Sequence, residues 1–278
     1  MLPVSVIIPC YNAAPTLART LDSCIAQPEA AQIIVVDDAS TDATSDVIRD
    51  YARHDARIEP LSMHANGGAA RARNWAALHA AQPLLAFIDA DDEYLPGALA
   101  AASTFLTGHP RQASMRLDID FVGFPAEIVA HPEFALHAAI LSNTVPSSLV
   151  IRRQVYAALG GFPLDDFFRR HGGEDGPLAL ALHATFGNPR LADEKRVRMH
   201  YHTGVHAERY FRIAMGMQPL PEEMYAQALE RTHRFAVRAL ADMVELRALD
   251  AAAGAAPPAA PVPNSESTES NAAHESAQ

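Results

Sequence analysis

The sequence predicts an α/β protein built on a mostly parallel sheet with helices on both faces. Short β-branched runs alternate with segments whose apolar residues recur at helical spacing. Glycine, proline and capping residues punctuate the short connections between them. Polar clusters then recur just beyond successive strands, where open parallel sheets bind ligands.

Each element follows in order. Val4 to Ile8 is a β-branched run closed by Pro9, and Leu17, Leu21, Cys24 and Ile25 place a helix between Pro15 and Ala26. Ile33 to Val36 is the second strand. Ser40, Thr41 and Asp42 offer caps to a helix with Val47, Ile48 and Tyr51 on one face. Ile58 to Leu61 is the third strand, Asn66-Gly67-Gly68 turns into a helix from about 69 to 81, and Leu84 to Ile88 is a fourth strand ending at Asp89. Beyond Pro96 the alternation weakens into a mixed sheet with long loops. A helix is expected from Gly97 to Leu106, strands at Ile119 to Gly123 and Ser147 to Ile151, and helices at Arg153 to Leu159 and Pro177 to Thr185. Glu222 to Leu249 reads as one long helix with an apolar stripe. From Ala251 the chain is Ala, Pro, Ser, Asn and Glu with few bulky apolar residues, and a disordered tail is expected.

Composition limits what such a fold can do. The 278 residues are 49% hydrophobic and 20% charged, enough for one large core or two fused ones, which excludes collagen-like and wholly disordered readings. A net charge of −11 without a basic patch argues against a nucleic-acid partner. Cys10 and Cys24 are too few for a disulfide framework and sit in no zinc-type spacing, so a reduced, cytoplasmic chain is expected. The residues after Met1 lack a basic, signal-like start, and no window approaches the roughly 18 apolar residues of a spanning helix. Membrane contact, if any, is then peripheral, at the inner face.

The chemistry concentrates at strand ends: Tyr11-Asn12, Asp37-Asp38, and Asp89-Ala90-Asp91-Asp92. Asx residues after strands also serve as plain turn and cap residues, but their recurrence at successive strand ends favours a site. Three carboxylates leaving one strand end are costly without a cation, and hard oxygen donors on a short loop suit Mg²⁺ or Mn²⁺ bridging a diphosphate. Glu174-Asp175, after two glycines and at a helix start, is either ordinary acidic capping or a base.

The ordered blocks Val4-Ser5-Val6-Ile7-Ile8-Pro9-Cys10-Tyr11-Asn12, Val35-Val36-Asp37-Asp38-Ala39-Ser40-Thr41-Asp42, Asn66-Gly67-Gly68 with Ala72-Arg73-Asn74, Asp89 to Asp92, Pro146 to Arg153, Gly160-Gly161-Phe162 and Gly173-Glu174-Asp175 resemble the inverting family 2 glycosyltransferases of GT-A fold over about residues 3 to 206. That resemblance implies a Rossmann-like GT-A domain with a nucleotide-sugar half (1–98) and an acceptor and catalytic half (99–210); the patterning and composition beyond it add a helical segment (211–250) and the tail (251–278). It implies that Pro9, Tyr11 and Asn12 cup the base and that Asp38 accepts from the uracil imide. Arg73 or Arg71 would meet the nucleotide, and Asp89 and Ala90 the ribose side. Asp91 would be the main metal ligand, with Asp92 in support, and Asp175 the catalytic base with Glu174 beside it.

His200, His202 and His206 fall where the family often carries a loop that closes over the diphosphate. His202 is the candidate phosphate or metal ligand, and solvated loop histidines are the plain alternative. His200 stands where an arginine is frequent, and Gly176-Pro177 after Asp175 is also less typical. The Gln-x-x-Arg-Trp signature of processive synthases is absent, which favours transfer of a single sugar. The expected activity is metal-dependent transfer from a uridine diphosphate sugar to a saccharide or lipid-linked acceptor for a surface glycan. An idle sugar-nucleotide-binding protein of the same fold is the alternative. A nucleotidyltransferase ranks last, because no glycine-rich loop with a lysine follows the first strand and Lys195 is the sole lysine.

Overall fold

The computed structural model describes residues 1–255. Its first compact unit, Met1–Met243, holds all eight strands, and the second begins at Val244. The strands are β1 (Val4–Cys10), β2 (Ala30–Asp37), β3 (Ile58–Ser62), β4 (Leu84–Phe87), β5 (Glu93–Tyr94), β6 (Ser114–Val122), β7 (Leu149–Arg152) and β8 (Arg190–His200), in the order β3-β2-β1-β4-β7-β6-β8-β5. β1 to β4 are mutually parallel where they pair. β7 runs antiparallel to both β4 and β6, β8 returns parallel to β6, and the edge strand β5 is antiparallel to β8.

Helices cover both faces because the central strands are apolar on both. In β1, Val4, Val6 and Ile8 face one core while Ile7 faces the other, as the two-residue period of a strand requires. The first core is covered by α1 (Leu17–Ile25), α2 (Thr44–His54), α4 (Ala98–Gly108), α6 (Phe134–Ser142) and α10 (His206–Ala214), through Leu17, Ile48, Leu99, Leu141 and Phe211. α5 (Ala126–Val129) joins them through Ile128. The second is covered by α3 (Ala69–His79), α7 (Arg153–Ala158), α9 (Asp175–Phe186) and α11 (Glu222–Ala255), through Ala72, Tyr156, Leu178 and Phe235. α8 (Asp166–His171) is capped by the Asp165 carboxylate, which accepts from the Phe167 N–H.

The parallel half follows the sequence reading with boundaries moved by a few residues. The second half adds β5, α5, α6, α8, β8 and α10, none of which the patterning foretold. Of the three histidines, His200 ends strand β8, His202 lies in the loop that follows and His206 begins α10. The tail expected from Ala251 enters the description only as the end of α11, and residues 256–278 lie outside the described part. Among the described residues no helix is long and apolar enough to cross a membrane.

Candidate active site

The loops after β1, β2 and β4 are built largely from their own side chains. Asn12 takes a left-handed conformation, φ 50°, and its Oδ1 accepts from Thr41 N at 2.8 Å, while Ser40 Oγ accepts from Asn12 N at 3.0 Å. Tyr11 stands 53% exposed above this turn, with Pro9 half-buried at the end of β1. Asp37 accepts from Ser40 N and Ser45 Oγ.

Asp38 is only 3% exposed, and its two oxygens accept from Gly67 N and Gly68 N, each at 2.7 Å. Gly68 has φ +84°, and a Cβ there would lie 2.9 Å from Arg169 Cγ, so glycine answers both the backbone and the crowding. In the structure Asp38 pins the Asn66-Gly67-Gly68 turn that opens α3.

Arg73 and Arg71 part company. Arg73 is 3% exposed, and its guanidinium donates to Asp89 Oδ1 and, at 2.8 Å, to Glu174 Oε1. It also lies 5.2 Å from the centre of the Phe162 ring. Phe162 is held by Asn74, whose Oδ1 accepts from Phe162 N and whose Nδ2 donates to Phe162 O. A Cβ on Gly161, φ +71°, would meet Asn74 Oδ1 at 2.6 Å, which accounts for the glycine directly before Phe162. Arg73 is therefore an internal bridge between the acidic loop and the start of α9. Arg71 is committed elsewhere, donating to Asp166 Oδ1 at 3.2 Å and to Gly67 O at 3.0 Å, so it moors α8.

The acidic loop is anchored from two sides. Arg19 Nη2 donates to Asp91 O and Thr20 Oγ1 to Asp92 O, both from α1. Ser147, in the short 3-10 turn Pro146–Ser148, accepts from Asp89 N and donates to Asp92 Oδ2 at 2.6 Å. Ala90 is buried. Asp92 is 2% exposed and accepts from Ser147 through Oδ2. Burial, together with Asp91 and Asp89, pushes its carboxyl well above the ordinary range.

Asp91, whose side chain is 33% exposed, meets His202 Nε2 at 2.8 Å. Burial and Asp89 raise its carboxyl, and His202 pulls the other way. His200 is separate: its Nε2 meets Glu93 Oε1 at 2.9 Å, beside Arg198. His206 begins α10 against Gly172.

Asp91 and His202 form a pair, and no group of three or more His, Cys, Asp or Glu side chains that could hold an ion by itself occurs among the described residues. A hard divalent cation that keeps waters and takes substrate phosphate oxygens needs only one or two protein donors, so this donor set fits one bound jointly with a diphosphate.

Asp175 heads α9 and receives no hydrogen bond from any other side chain among the described residues. Burial, reinforced by Glu174, raises its carboxyl to about 6 against the pull of Arg73 and Arg116. Arg116, which the sequence did not mark, lies buried in β6. A charged residue within the run Ala113 to Leu117 carries no local sign that it is buried.

The chain is similar to known proteins in sequence and in fold. Residues 5–121 match the model of the glycosyl transferase family 2. The succinoglycan biosynthesis protein ExoU of Rhizobium meliloti is 42% identical over 96 residues, which is 34% of this chain and 28% of that relative's own length. The structure of S. aureus TarS residues 1–349 with UDP-GlcNAc superposes with a TM-score of 0.63 at 20% identity, covering 84% of this chain and 66% of that one. The mannosyltransferase PcManGT of Pyrobaculum calidifontis, solved with GDP-Man and Mn²⁺, gives a TM-score of 0.58 at 24% identity over 92% of this chain and 76% of that one. The fold is the GT-A fold that the sequence predicted.

Proposed function

From the match of residues 5–121 to the glycosyl transferase family 2 model, we propose that this chain is a member of that family and transfers one sugar from a nucleoside diphosphate donor to a saccharide or lipid-linked acceptor, with inversion at the anomeric carbon. Uridine diphosphate is the expected leaving group. A surface glycan is the expected product, made at the inner face of the membrane by peripheral contact.

One observation carries this reading. The Arg73 guanidinium ties Asp89 to Glu174, gathering the acidic loop and the base-bearing start of α9 around a single buried cation. The biosynthetic role in ExoU's name supports the product class, and the ligands of the TarS and PcManGT structures support a nucleotide-sugar donor.

Asp175, with a carboxyl near 6, is ionised at neutral pH yet basic enough to accept the acceptor hydroxyl's proton as that oxygen attacks. The bond from the anomeric carbon to the diphosphate breaks in the same displacement, its electron pair leaving with the phosphate, and the configuration inverts. Asp91 and His202 would hold a divalent cation, Mn²⁺ or Mg²⁺, which when bound offsets charge on the departing diphosphate. Tyr11 offers its exposed ring to the base, and Asp38 fixes the glycine turn beside it.

Calorimetric titration with UDP and GDP, each with and without Mn²⁺, tests the proposal. We expect one nucleotide to bind with a Mn²⁺-dependent gain of about 1.4 kcal/mol or more, a factor of ten. Asp91→Asn should lose that gain and keep the metal-free affinity. Equal affinity with and without Mn²⁺ would remove the cation's role, and binding of neither nucleotide would remove the donor assignment.

A further inference from the structure

Helix α1 and the turn that ends it carry Arg19, Thr20, Ser23 and Gln27, spaced to share one side of the helix. These side chains bond, in chain order, to the main chain of residues 91–99, which holds the acidic loop, β5 and the start of α4. Arg19 Nη2 donates to Asp91 O at 2.6 Å and Thr20 Oγ1 to Asp92 O at 2.7 Å. Ser23 Oγ accepts from Tyr94 N at 3.1 Å, and Gln27 donates to Leu95 O at 3.1 Å and accepts from Leu99 N at 3.3 Å.

Arg19 differs from the other three. Thr20, Ser23 and Gln27 are neutral, and every one of them bonds where the segment is already leaving the site. Arg19 is a half-buried cation with no carboxylate within ion-pair distance and with its Nε enclosed and unpartnered among the described residues. An enclosed donor left unpaired costs stability that an apolar side chain of similar length would not incur. What the arginine gains in return is its bond to Asp91 O.

The place of that bond gives it meaning. A peptide unit is planar, so the Asp91 carbonyl and the Asp92 N–H turn as one body. Arg19 holds the carbonyl end, and Asp89 O accepts from Asp92 N at 3.1 Å at the other. Among the described residues Arg19 is the one side chain bonded to this peptide. The Asp91 Cα belongs to the same plane, so holding the plane sets the direction in which the Asp91 side chain leaves, the one in which it meets His202 Nε2 at 2.8 Å.

We propose that Arg19 is a positioning residue for donor binding: by holding the Asp91–Asp92 peptide it aims the Asp91 carboxylate at the divalent cation of a nucleoside diphosphate. This rests on Asp91 holding that cation.

Two measurements on the full chain test it, in the wild type, Arg19→Met and Arg19→Lys. The first needs no metal and follows amide hydrogen exchange by NMR. Arg19→Met keeps the apolar stem and loses the donor, so Asp92 N–H should exchange about tenfold faster, the size of one lost hydrogen bond to a charged group, while Ile7 N–H in the buried strand β1 keeps its rate. The second is calorimetric titration with UDP and GDP, each with and without Mn²⁺. Arg19→Met should lose the Mn²⁺-dependent gain and keep the metal-free affinity. Arg19→Lys can still donate to the carbonyl and should keep the wild-type values in both measurements. If Arg19→Met does not fold, Arg19→Gln, whose side chain ends where the guanidinium begins, takes its place.

An unchanged exchange rate at Asp92, or an intact Mn²⁺-dependent gain, in Arg19→Met would overturn the proposal. Metal-free affinity falling as far as the gain would mark Arg19 as merely structural and overturn it too, and an equal loss in Arg19→Lys would overturn the bond to Asp91 O as the cause. A wild type with no Mn²⁺-dependent gain would instead remove the cation reading, while the exchange at Asp92 would still decide whether Arg19 holds the peptide.

Discussion

In the parallel half of the sheet, the protein itself feeds the carboxylates at the strand ends. Asp37 is met by Ser40 and Ser45 and Asp38 by two glycine N–H groups, while Asp92, with Ser147 as its one side-chain donor, stays well above the ordinary range. In the mixed half, Asp175 opens α9 with no other side chain donating to it, and burial lifts it to about 6. The difference separates two uses of one functional group. A carboxylate supplied with donors is a structural clasp, whereas a buried one short of donors keeps its appetite for a proton and can act as a base.

Replacing Asp175 should show this most sharply. Asp175→Asn is expected to lower kcat/KM by about 10²–10⁴, the range of a lost general base. Stability should move the opposite way. Because the folded carboxyl titrates near 6 and the unfolded one near its ordinary 3.8, ionisation costs the native state stability as pH rises through that window. The variant should therefore gain about 1–3 kcal/mol above pH 7 and nothing below about pH 4. Thermal unfolding across pH reads both, and destabilisation at pH 7 would break the comparison.

Arg73→Met comes next. It strands Asp89 and Glu174 against a buried apolar side chain, and a cost of about 3–5 kcal/mol in urea unfolding is expected. A loss under 1 kcal/mol, on the scale of an exposed pair, would mean that the bridge is not buried in solution.

The smallest effect belongs to Asp38→Asn. The amide retains one acceptor for Gly67 or Gly68 and turns an N–H₂ toward the other, for about 1–3 kcal/mol. If the clasp reading is right, the pH dependence of activity stays that of the wild type. A shifted profile would place Asp38 with Asp175 instead.

The parallel half was legible because strands buried on both faces read as uninterrupted β-branched runs, as in Ile33 to Val36. β8 was not. Its Arg190 to Arg198 stretch is dense with charge and is extended because β6 pairs with it, a cause with no local trace. α8 has six residues and β5 two, too short for any period to register. The site divides in the same way. The positions of Asp91 and Glu174-Asp175 could be read from their motifs, whereas the partners of Asp38, Arg73 and Arg71 could not. Arg73 meets Glu174 across 101 residues, and only the folded sheet brings them together.

The acidic loop also has a mechanical meaning. It leaves β4, fourth in the sheet order, and enters β5, the eighth. On a flat sheet that displacement is some 19 Å at about 4.8 Å per strand. The six residue steps from Phe87 to Glu93 reach about 21 Å only when fully drawn out. Yet Asp92 N and Asp89 O close a 3.1 Å hydrogen bond within them, which takes up slack the chain does not have. The loop is thus the string of a bow whose limb is the sheet, and it is the curl of the limb that lets the string meet both ends. Lengthening it by a few residues between Ile88 and Asp92 would keep every acid and still loosen the tie between the two ends, freeing β5 and, with it, the bearing of Asp91 toward His202.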